Sequence, residues 1–424
     1  MDDHTIRPLA DDYTVMYRSS DPHEEYCYSP GIAVLPSGRL VGTMDVGGPG
    51  RKSAPPEERY RGKVFVSDDQ GKRWRHVHDV PFVHARPFLA GDRLYVLGHR
   101  GDLAVTASGD GGASWGETSV LTEGEQWHQS ACNVWYAHGC VYLVMERRTT
   151  FDLRTWQVGE LAPVLMRGRL DSDLTRRENW TFASELSFRD VMPGAQTDPQ
   201  VDLFGVPFFH APYPSGATVS AGRNCAPIGW LETNVVQILD PEHFWHDPTG
   251  RTFHLLARAH TGGTGYAALA KVTEQGASPG TGAMRTALEE VPSGRNALFL
   301  PCPGGQMRFH VLYDEPTERY WLLSTQATDS MRRAECLPAD RYNLPNNERR
   351  RLQLHFSRNL VDWCFAGLVA VGPCERGSRH YASMAIDGED LIVLSRSGDE
   401  QAHDAHNGNL ITFHRIPRFR RLVY

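Results

Sequence analysis

The chain has 424 residues, a formal net charge of −7 and 40% hydrophobic residues. This length allows one to three domains, and the negative charge gives no reason to expect nucleic acid or an anionic membrane as a partner. The N-terminal segment is polar and acidic, and no apolar run approaches the about 18 residues of a membrane span. We therefore expect a cytoplasmic protein, unless an export leader has been removed.

The eight cysteines include no CxxC pair. This pattern predicts reduced thiols in the core, and it leaves open a disulfide or a single structural Cys/His metal site.

Short apolar runs of β-forming residues, each ending in a polar residue, recur along the chain. The interval between the third and fourth copies is about twice the others, so an irregular copy is expected near Leu203 to Phe209. The polar residues that end the six clear copies are Asp45, His99, Glu146, Arg258, Thr325 and Arg396.

A second repeated unit has the form S-x-D-x-G-x-x-W and occurs at 67–74 and 108–115, with a degenerate copy at 357–363. Ser and Asp side chains hydrogen-bond the backbone of their own turn, Gly supplies a positive φ angle, and Trp fills the space beneath. We expect Ser67, Asp69, Ser108 and Asp110 to be structural and to face away from any active site.

Repeats of about 40–50 residues with four strands each predict a β-propeller. The prediction is one all-β domain, 1–424, with seven four-stranded antiparallel blades and an N-terminal strand, 13–18, that closes the ring. A polar insertion at 332–351 is expected to be a surface loop. The predicted blades span about 29–80, 83–122, 131–186, 187–228, 229–300, 304–372 and 380–424.

In such a blade the beginning of the first strand and the end of the second lie at the same face, around the central axis. Polar residues at the beginnings of first strands should therefore meet those at the ends of second strands. Alternatives remain at each position. Arg258 and Glu232 could form only a buried salt bridge, Glu146 could belong to an ion-pair cluster, and a single His often has a structural role. The candidates at first strands are His84, Trp127, His128, Trp230, Glu232, Asn234, Arg308, His380 and Tyr381.

The hairpins resemble the Asp boxes of sialidase-like propellers. The segments GWLETN (229–234), PGGQMRFHVLYDEPTERYWLLS (303–324), SRNLVDW (357–363) and DGEDLIVLSRSGDE (387–400) with AHNGNLITFHR (405–415) are similar to a narrower group. That group is the seven-bladed one of ulvan lyases, rhamnosyl-glucuronate lyases and related rhamnosidases. The resemblance covers roughly 30–415.

The resemblance implies exolytic cleavage of a glucuronate-containing glycan by β-elimination, with a His/Tyr acid–base pair and an Arg on the carboxylate. It assigns His128 as the catalytic histidine, His99 or His84 as the second one, Tyr381 or Tyr266 as the phenol, and Arg258 as the carboxylate ligand. An acidic oligosaccharide or polysaccharide is the expected partner. No cofactor is predicted, and a divalent cation is left open. The other expected substrate-binding residues are Arg396, Glu232, Asn234, Trp127, Glu146, His260, Arg308 and His380.

Three other functions stay open. A true sialidase would need an arginine triad and a Tyr/Glu pair, and Thr5 to Pro8 only partly matches the R-I-P motif of that family. Another glycosidase would need two carboxylates, such as Glu146 and Glu232, on either side of the scissile bond. A glycan-binding propeller would need no catalysis at all.

Overall fold

Strand-rich blades make up the computed structural model, which describes residues 6–55, 58–153, 157–191, 218–220, 223–224, 229–260, 264–330, 332, 336 and 348–424. Within these ranges six mainly four-stranded antiparallel sheets follow one another. No helix among them is long and apolar enough to cross a membrane.

The first three blades are built from consecutive strands, and in blade 3 two short segments pair with the second strand in place of one inner strand. Blade 1 comprises Tyr26–Val34, Leu40–Gly47, Arg61–Ser67 and Arg75–Val80. Blade 2 comprises Val83–Ala90, Arg93–Arg100, Asp102–Ser108 and Ser119–Val120. Blade 3 comprises Trp127–His128 with Trp135–Ala137, Cys140–Arg148, Leu161–Arg169 and Trp180–Phe182.

The last three blades repeat the pattern, and blade 6 takes its outermost strand from the N-terminus, where Thr14–Arg18 pairs with Leu410–Ile416. Blade 4 comprises Gly229–Val236, Thr252–His260, Tyr266–Glu274 and Met284–Ala287, with Phe299–Pro301 beside its third strand. Blade 5 comprises His310–Asp314, Arg319–Gln326, Arg351–Ser357 and Cys364–Val371. Blade 6 comprises Arg379–Asp387, Asp390–Ser397, Leu410–Ile416 and Thr14–Arg18.

In the described ranges, the elements outside the blades are short. Two further strand pairs join Thr218–Ser220 to Arg223–Asn224 and Glu289–Glu290 to Asn296–Ala297. The short helical turns are Pro49–Lys52, Val158–Glu160, Arg177–Asn179, Phe188–Val191, Glu315–Thr317 and Phe419–Leu422.

The prediction of seven blades is wrong, because the described structure has six. Blades 3 and 4 are direct neighbours: the Asn133 side chain donates to the carbonyl of Val235 and accepts from its N–H, over 2.7 and 2.8 Å. No blade formed by the described residues lies between them. Most of the stretch predicted as an extra blade, 187–228, lies outside the described residues, including Leu203 to Phe209.

Apolar side chains fill the spaces between neighbouring sheets. One cluster joins Met16 and Ile411 of blade 6 to Ile32 and Met44 of blade 1, and so packs the last blade on the first. Burial of this kind provides the main stabilising free energy of the ring.

The S-x-D-x-G-x-x-W hairpins form the expected turns. In the second copy Ser108 Oγ accepts from the Gly112 N–H at 2.8 Å, and Asp110 accepts from the N–H groups of Ala113 and Ser114. The hydrogen bonds made by these side chains are therefore local.

Candidate functional site

The polar residues at the ends of second strands occupy equivalent positions. In the strand registers Asp45 lies opposite Tyr28, His99 opposite Val83, Glu146 opposite His128, Arg258 opposite Leu231, and Arg396 opposite His380. All five, and Thr325 of blade 5, are buried. The alignment made from sequence alone therefore identifies one structural position in each blade.

Four inner strands carry a β-bulge next to this position. In each of them two residues oppose a single residue of the second strand. The first residue of each bulge has a positive φ: 45° at Ser29, 59° at His84, 58° at Glu232 and 47° at Tyr381. Left-handed backbone at a residue other than glycine costs about 1–3 kcal/mol and is frequent at functional sites. The bulges therefore mark this end of the axis as the candidate functional site.

Tyr381 lies at the centre of a group that we call the tyrosine–arginine cluster: Tyr381, Glu232, Arg258, Arg349 and Arg396. Arg258 Nη1 is 2.5 Å from the phenol oxygen of Tyr381 and 3.3 Å from Glu232 Oε2. Its Nε donates to the carbonyl of Gln306 at 2.8 Å. One guanidinium nitrogen thus contacts both the phenol and the carboxylate.

Two further arginines face the Tyr381 ring. The Cζ atoms of Arg349 and Arg396 each lie 5.3 Å from the ring centroid. Arg349 Nη1 donates to His380 Nδ1 at 2.9 Å, and Arg396 donates to the backbone oxygen of His406. Among the described residues Arg396 forms no ion pair with a carboxylate, so it is suited to bind one from a ligand.

The electrostatic balance keeps the phenol neutral. Burial raises the pKa of Tyr381; Glu232 acts in the same direction, and Arg258, Arg349 and Arg396 oppose it. At neutral pH the phenol therefore keeps its proton and needs a base to remove it.

His84, His99 and His128 form the second group, the histidine cluster. His84 Nδ1 and His99 Nε2 are 2.8 Å apart, and the rings of His84 and His128 lie edge to face with centroids 5.2 Å apart. Burial lowers the pKa of His99 to about 3 and that of His84 well below its ordinary value. Both are therefore neutral and weakly basic at physiological pH.

Asp45 holds the backbone of the histidine cluster at His84. Both of its carboxylate oxygens accept from the backbone N–H of His84, at 2.9 Å each. Burial raises the pKa of Asp45 to about 7, against the lowering effect of these bonds and of Arg396. A carboxyl group with this pKa can donate a proton near neutral pH.

The two clusters lie at the same end of the axis. Glu146 is completely buried; its Oε1 accepts from the N–H of Thr233, the residue after Glu232, at 2.9 Å. Its Oε2 lies 3.8 Å from His128 Nδ1. Arg396 acts electrostatically on Asp45 and His84 and also contacts Tyr381. His128, His99 and Arg258 are therefore on one rim, as the sequence predicted.

Two of the predicted substrate-binding residues make hydrogen bonds that join neighbouring parts of the propeller. Asn234 donates to the carbonyl of Phe309 and accepts from the N–H of Val311, both at 3.1 Å, and so joins blades 4 and 5. Arg308 donates to the backbone oxygens of Tyr381 and Ala131, which positions the Tyr381 bulge.

Three other predicted site residues lie outside the two clusters: the substrate-binding candidates Trp127 and His260, and Tyr266, the alternative catalytic phenol. Trp127 is buried against Phe182, and its indole N–H donates to Glu125 at 2.8 Å. Tyr266 begins the third strand of blade 4, where it pairs with Pro301. His260 is buried at the end of the second strand, two positions after Arg258.

The sequence patterns did not identify Arg349 and His406. Arg349 lies in the stretch predicted as a surface loop, yet it is 3% exposed and faces Tyr381. His406 stands in the AHNGN segment, which contributes to the family resemblance but was not assigned to the site. His406 is half-buried, and its contact with Arg396 comes from a loop whose course no local pattern shows.

No group of three or more His, Cys, Asp or Glu side chains that could hold a metal ion occurs among the residues with described positions.

Comparison with known proteins gives structural neighbours only. No family model matches the chain, and no curated protein does. Trypanosoma rangeli sialidase with the inhibitor DANA has 12% identity and a TM-score of 0.54, over 97% of this chain and 60% of its own. The Ruminococcus gnavus intramolecular trans-sialidase with oseltamivir carboxylate has 12% identity and a TM-score of 0.50, over 96% and 98%.

A Dyadobacter fermentans protein of unknown function has 11% identity and a TM-score of 0.54, over 98% of this chain and 100% of its own. At these identities the likeness concerns the fold. The narrower resemblance to lyases and rhamnosidases is not supported by these neighbours. The chain has the fold of the sialidase-like β-propellers.

Proposed function

We propose that this protein is a glycoside hydrolase acting on glycosides of carboxylate-bearing sugars, with Tyr381 as the nucleophile. The proposal depends on one observation: the phenol of Tyr381 and the carboxylate of Glu232 contact the same nitrogen of Arg258, with two more guanidinium groups over the ring. Most glycoside hydrolases use a pair of carboxylates, whereas sialidases use a tyrosine as the nucleophile.

Charge explains the choice of nucleophile. An anionic carboxylate that approached a sugar carbon beside another carboxylate would be repelled, whereas a neutral phenol is not. In the proposed reaction Arg396 and Arg349 bind the sugar carboxylate. Glu232 takes the phenol proton as the bond from the Tyr381 oxygen to the anomeric carbon forms.

Asp45 is the proposed general acid. Its carboxyl group, with a pKa of about 7, gives a proton to the departing glycosidic oxygen as that bond breaks. In the second step a water gives its proton to the Asp45 carboxylate and attacks the anomeric carbon. The phenol leaves with the proton held by Glu232. Both protons are thus returned, and the enzyme is regenerated.

β-Elimination at glucuronate is the second candidate, because three histidine rings meet beside the arginines. It needs a base strong enough to take the C5 proton. The lowered pKa values of His84 and His99 and the raised pKa of Tyr381 make those three groups poor bases at neutral pH. His128 is then the base that elimination would use. The hydrolase is preferred because the phenol of Tyr381 and the carboxylate of Glu232 contact the same nitrogen of Arg258.

The two reactions give different products. Incubation with aryl glycosides and oligosaccharides of sialic acid and glucuronic acid should release a saturated reducing sugar with no rise in the ultraviolet absorbance of an unsaturated uronate. A rise in that absorbance would replace hydrolysis by elimination. Binding without either product would leave a glycan-binding propeller. Mass spectrometry of Tyr381 after trapping with a fluorinated substrate would identify the covalent intermediate.

A further inference from the structure

A separate cavity of about 640 Å³ lies in the axial channel, on the far side of the four bulges. Its walls come from the inner strands of the blades beyond the bulge positions, including Ile32, Phe88 and Met384. The tyrosine–arginine cluster does not line it. The basic lining residues of the cavity are Arg86, His310 and His138, and its acidic lining residue is Glu315.

Arg86 is a buried guanidinium with unused donors. It is 1% exposed, and its Nη2 donates to the carbonyl of Ser130 at 3.0 Å. Its Nε and Nη1 have no hydrogen-bond partner among the residues that the structure describes. Burying a charged group without a counter-charge costs several kcal/mol, so such a group is normally paired.

His310 contributes a third donor. Its Nδ1 accepts from the backbone N–H of Met384 at 2.8 Å, which places the ring proton on Nε2. That Nε2 atom is buried, and no described group accepts from it. His310 and Arg86 are close enough that the arginine charge lowers the pKa of the imidazole, after burial and the nearby Arg308.

The charges around Arg86 do not include a hydrogen-bonded carboxylate. Cys132, Glu146 and Arg308 are the groups within electrostatic reach. Glu146 directs its Oε1 to Thr233 and Gln129, and it makes no ion pair with Arg86 within the described part of the chain. Arg308 adds a second buried positive charge nearby.

We propose that the axial channel binds a small monovalent anion between Arg86 and His310. The free N–H groups of both side chains donate to it, and it balances the buried guanidinium charge. A halide ion or the carboxylate end of a small molecule has the required chemistry. This site is independent of the proposed glycosidase reaction.

The test measures anion binding directly. Crystals of the wild-type protein soaked in sodium bromide should show an anomalous peak beside Arg86 and His310. Thermal unfolding in sodium chloride, compared with sodium isethionate at equal ionic strength, should show a midpoint that rises by about 1–2 °C per tenfold rise in chloride above the Kd. Sodium formate in place of chloride distinguishes a carboxylate site from a halide site.

Two variants control for general salt effects. Arg86→Met should abolish the bromide peak and the chloride-dependent shift. Arg93→Met removes a partly exposed guanidinium from the same blade and should keep both. Absence of a bromide peak together with equal midpoints in chloride, formate and isethionate would overturn the proposal, whether or not Arg86→Met folds.

Discussion

Arg258 Nη1 lies 2.5 Å from the phenol oxygen of Tyr381, although 123 positions separate the two residues in the chain. The contact joins the second strand of blade 4 to the first strand of blade 6 across the axis. Arg258 also contacts Glu232, and burial lowers its pKa less than Tyr381 and Glu232 raise it. A charged arginine thus holds the proposed nucleophile and its base together.

Tyr381→Phe should reduce kcat roughly a thousandfold or more while the protein stays folded, because the ring remains and only the attacking oxygen is lost. Release of the aryl group from an acidic glycoside measures kcat, and circular dichroism measures folding. Tyr136→Phe, on a half-exposed tyrosine at the opposite end of the channel, is the matched control. Equal losses in both variants would remove Tyr381 from the reaction.

Arg396→Met should raise KM for carboxylate-bearing substrates by about 10- to 100-fold, the equivalent of one charge-assisted hydrogen bond. The corresponding methyl ester substrate, which has no charge to bind, should be affected much less. Kinetics on the two substrates measure the difference. If both substrates lose the same factor, Arg396 acts on the shape of the site and does not bind the carboxylate.

Asp45 gives the activity a pH dependence. The reaction needs the protonated carboxyl group, so kcat should fall as the pH rises through about 7. Asp45→Asn should remove this descending limb and most of the activity on substrates with poor leaving groups. Good leaving groups, such as nitrophenol, should rescue much of the rate. An unchanged pH profile in Asp45→Asn would assign the acid to another group.

The same raised pKa affects stability. The folded state holds the Asp45 proton up to about pH 7, whereas the unfolded state releases it near pH 4. The folded state therefore binds more protons in this interval, and stability falls as the pH rises from about 4 to about 7. Urea unfolding of the wild type and of Asp45→Asn should be measured across this pH range. The free energy of unfolding should fall less steeply with pH in the variant than in the wild type. An equal fall of the unfolding free energy with pH in both proteins would contradict the raised pKa of Asp45.

Asn234→Ala should destabilise the protein by about 2–4 kcal/mol, because the Phe309 carbonyl and the Val311 N–H between blades 4 and 5 lose their partner. Chemical denaturation measures the change. Asn296→Ala, at an exposed asparagine in a short strand, should have little effect. If the free energy of unfolding is unchanged and only KM rises, Asn234 binds substrate after all.

Local sequence patterns are enough to predict the repeated four-stranded unit and one set of equivalent polar positions in the blades. A run of β-forming residues with a polar end gives the same backbone path wherever it occurs. The repeat by itself therefore assigns equivalent positions to Asp45, His99, Glu146, Arg258 and Arg396, and the strand registers confirm them. The local hydrogen bonds of the 67–74 and 108–115 hairpins follow from their own residues in the same way.

Tertiary structure decided everything that depends on which blades are neighbours. The described residues form six blades where the repeat predicts seven, and the Asn133 side chain joins blade 3 directly to Val235 of blade 4. Arg349 and His406 enter the site from connecting segments, and Arg308 supports the Tyr381 backbone. These contacts join residues far apart in sequence, so spacing and periodicity carry no information about them.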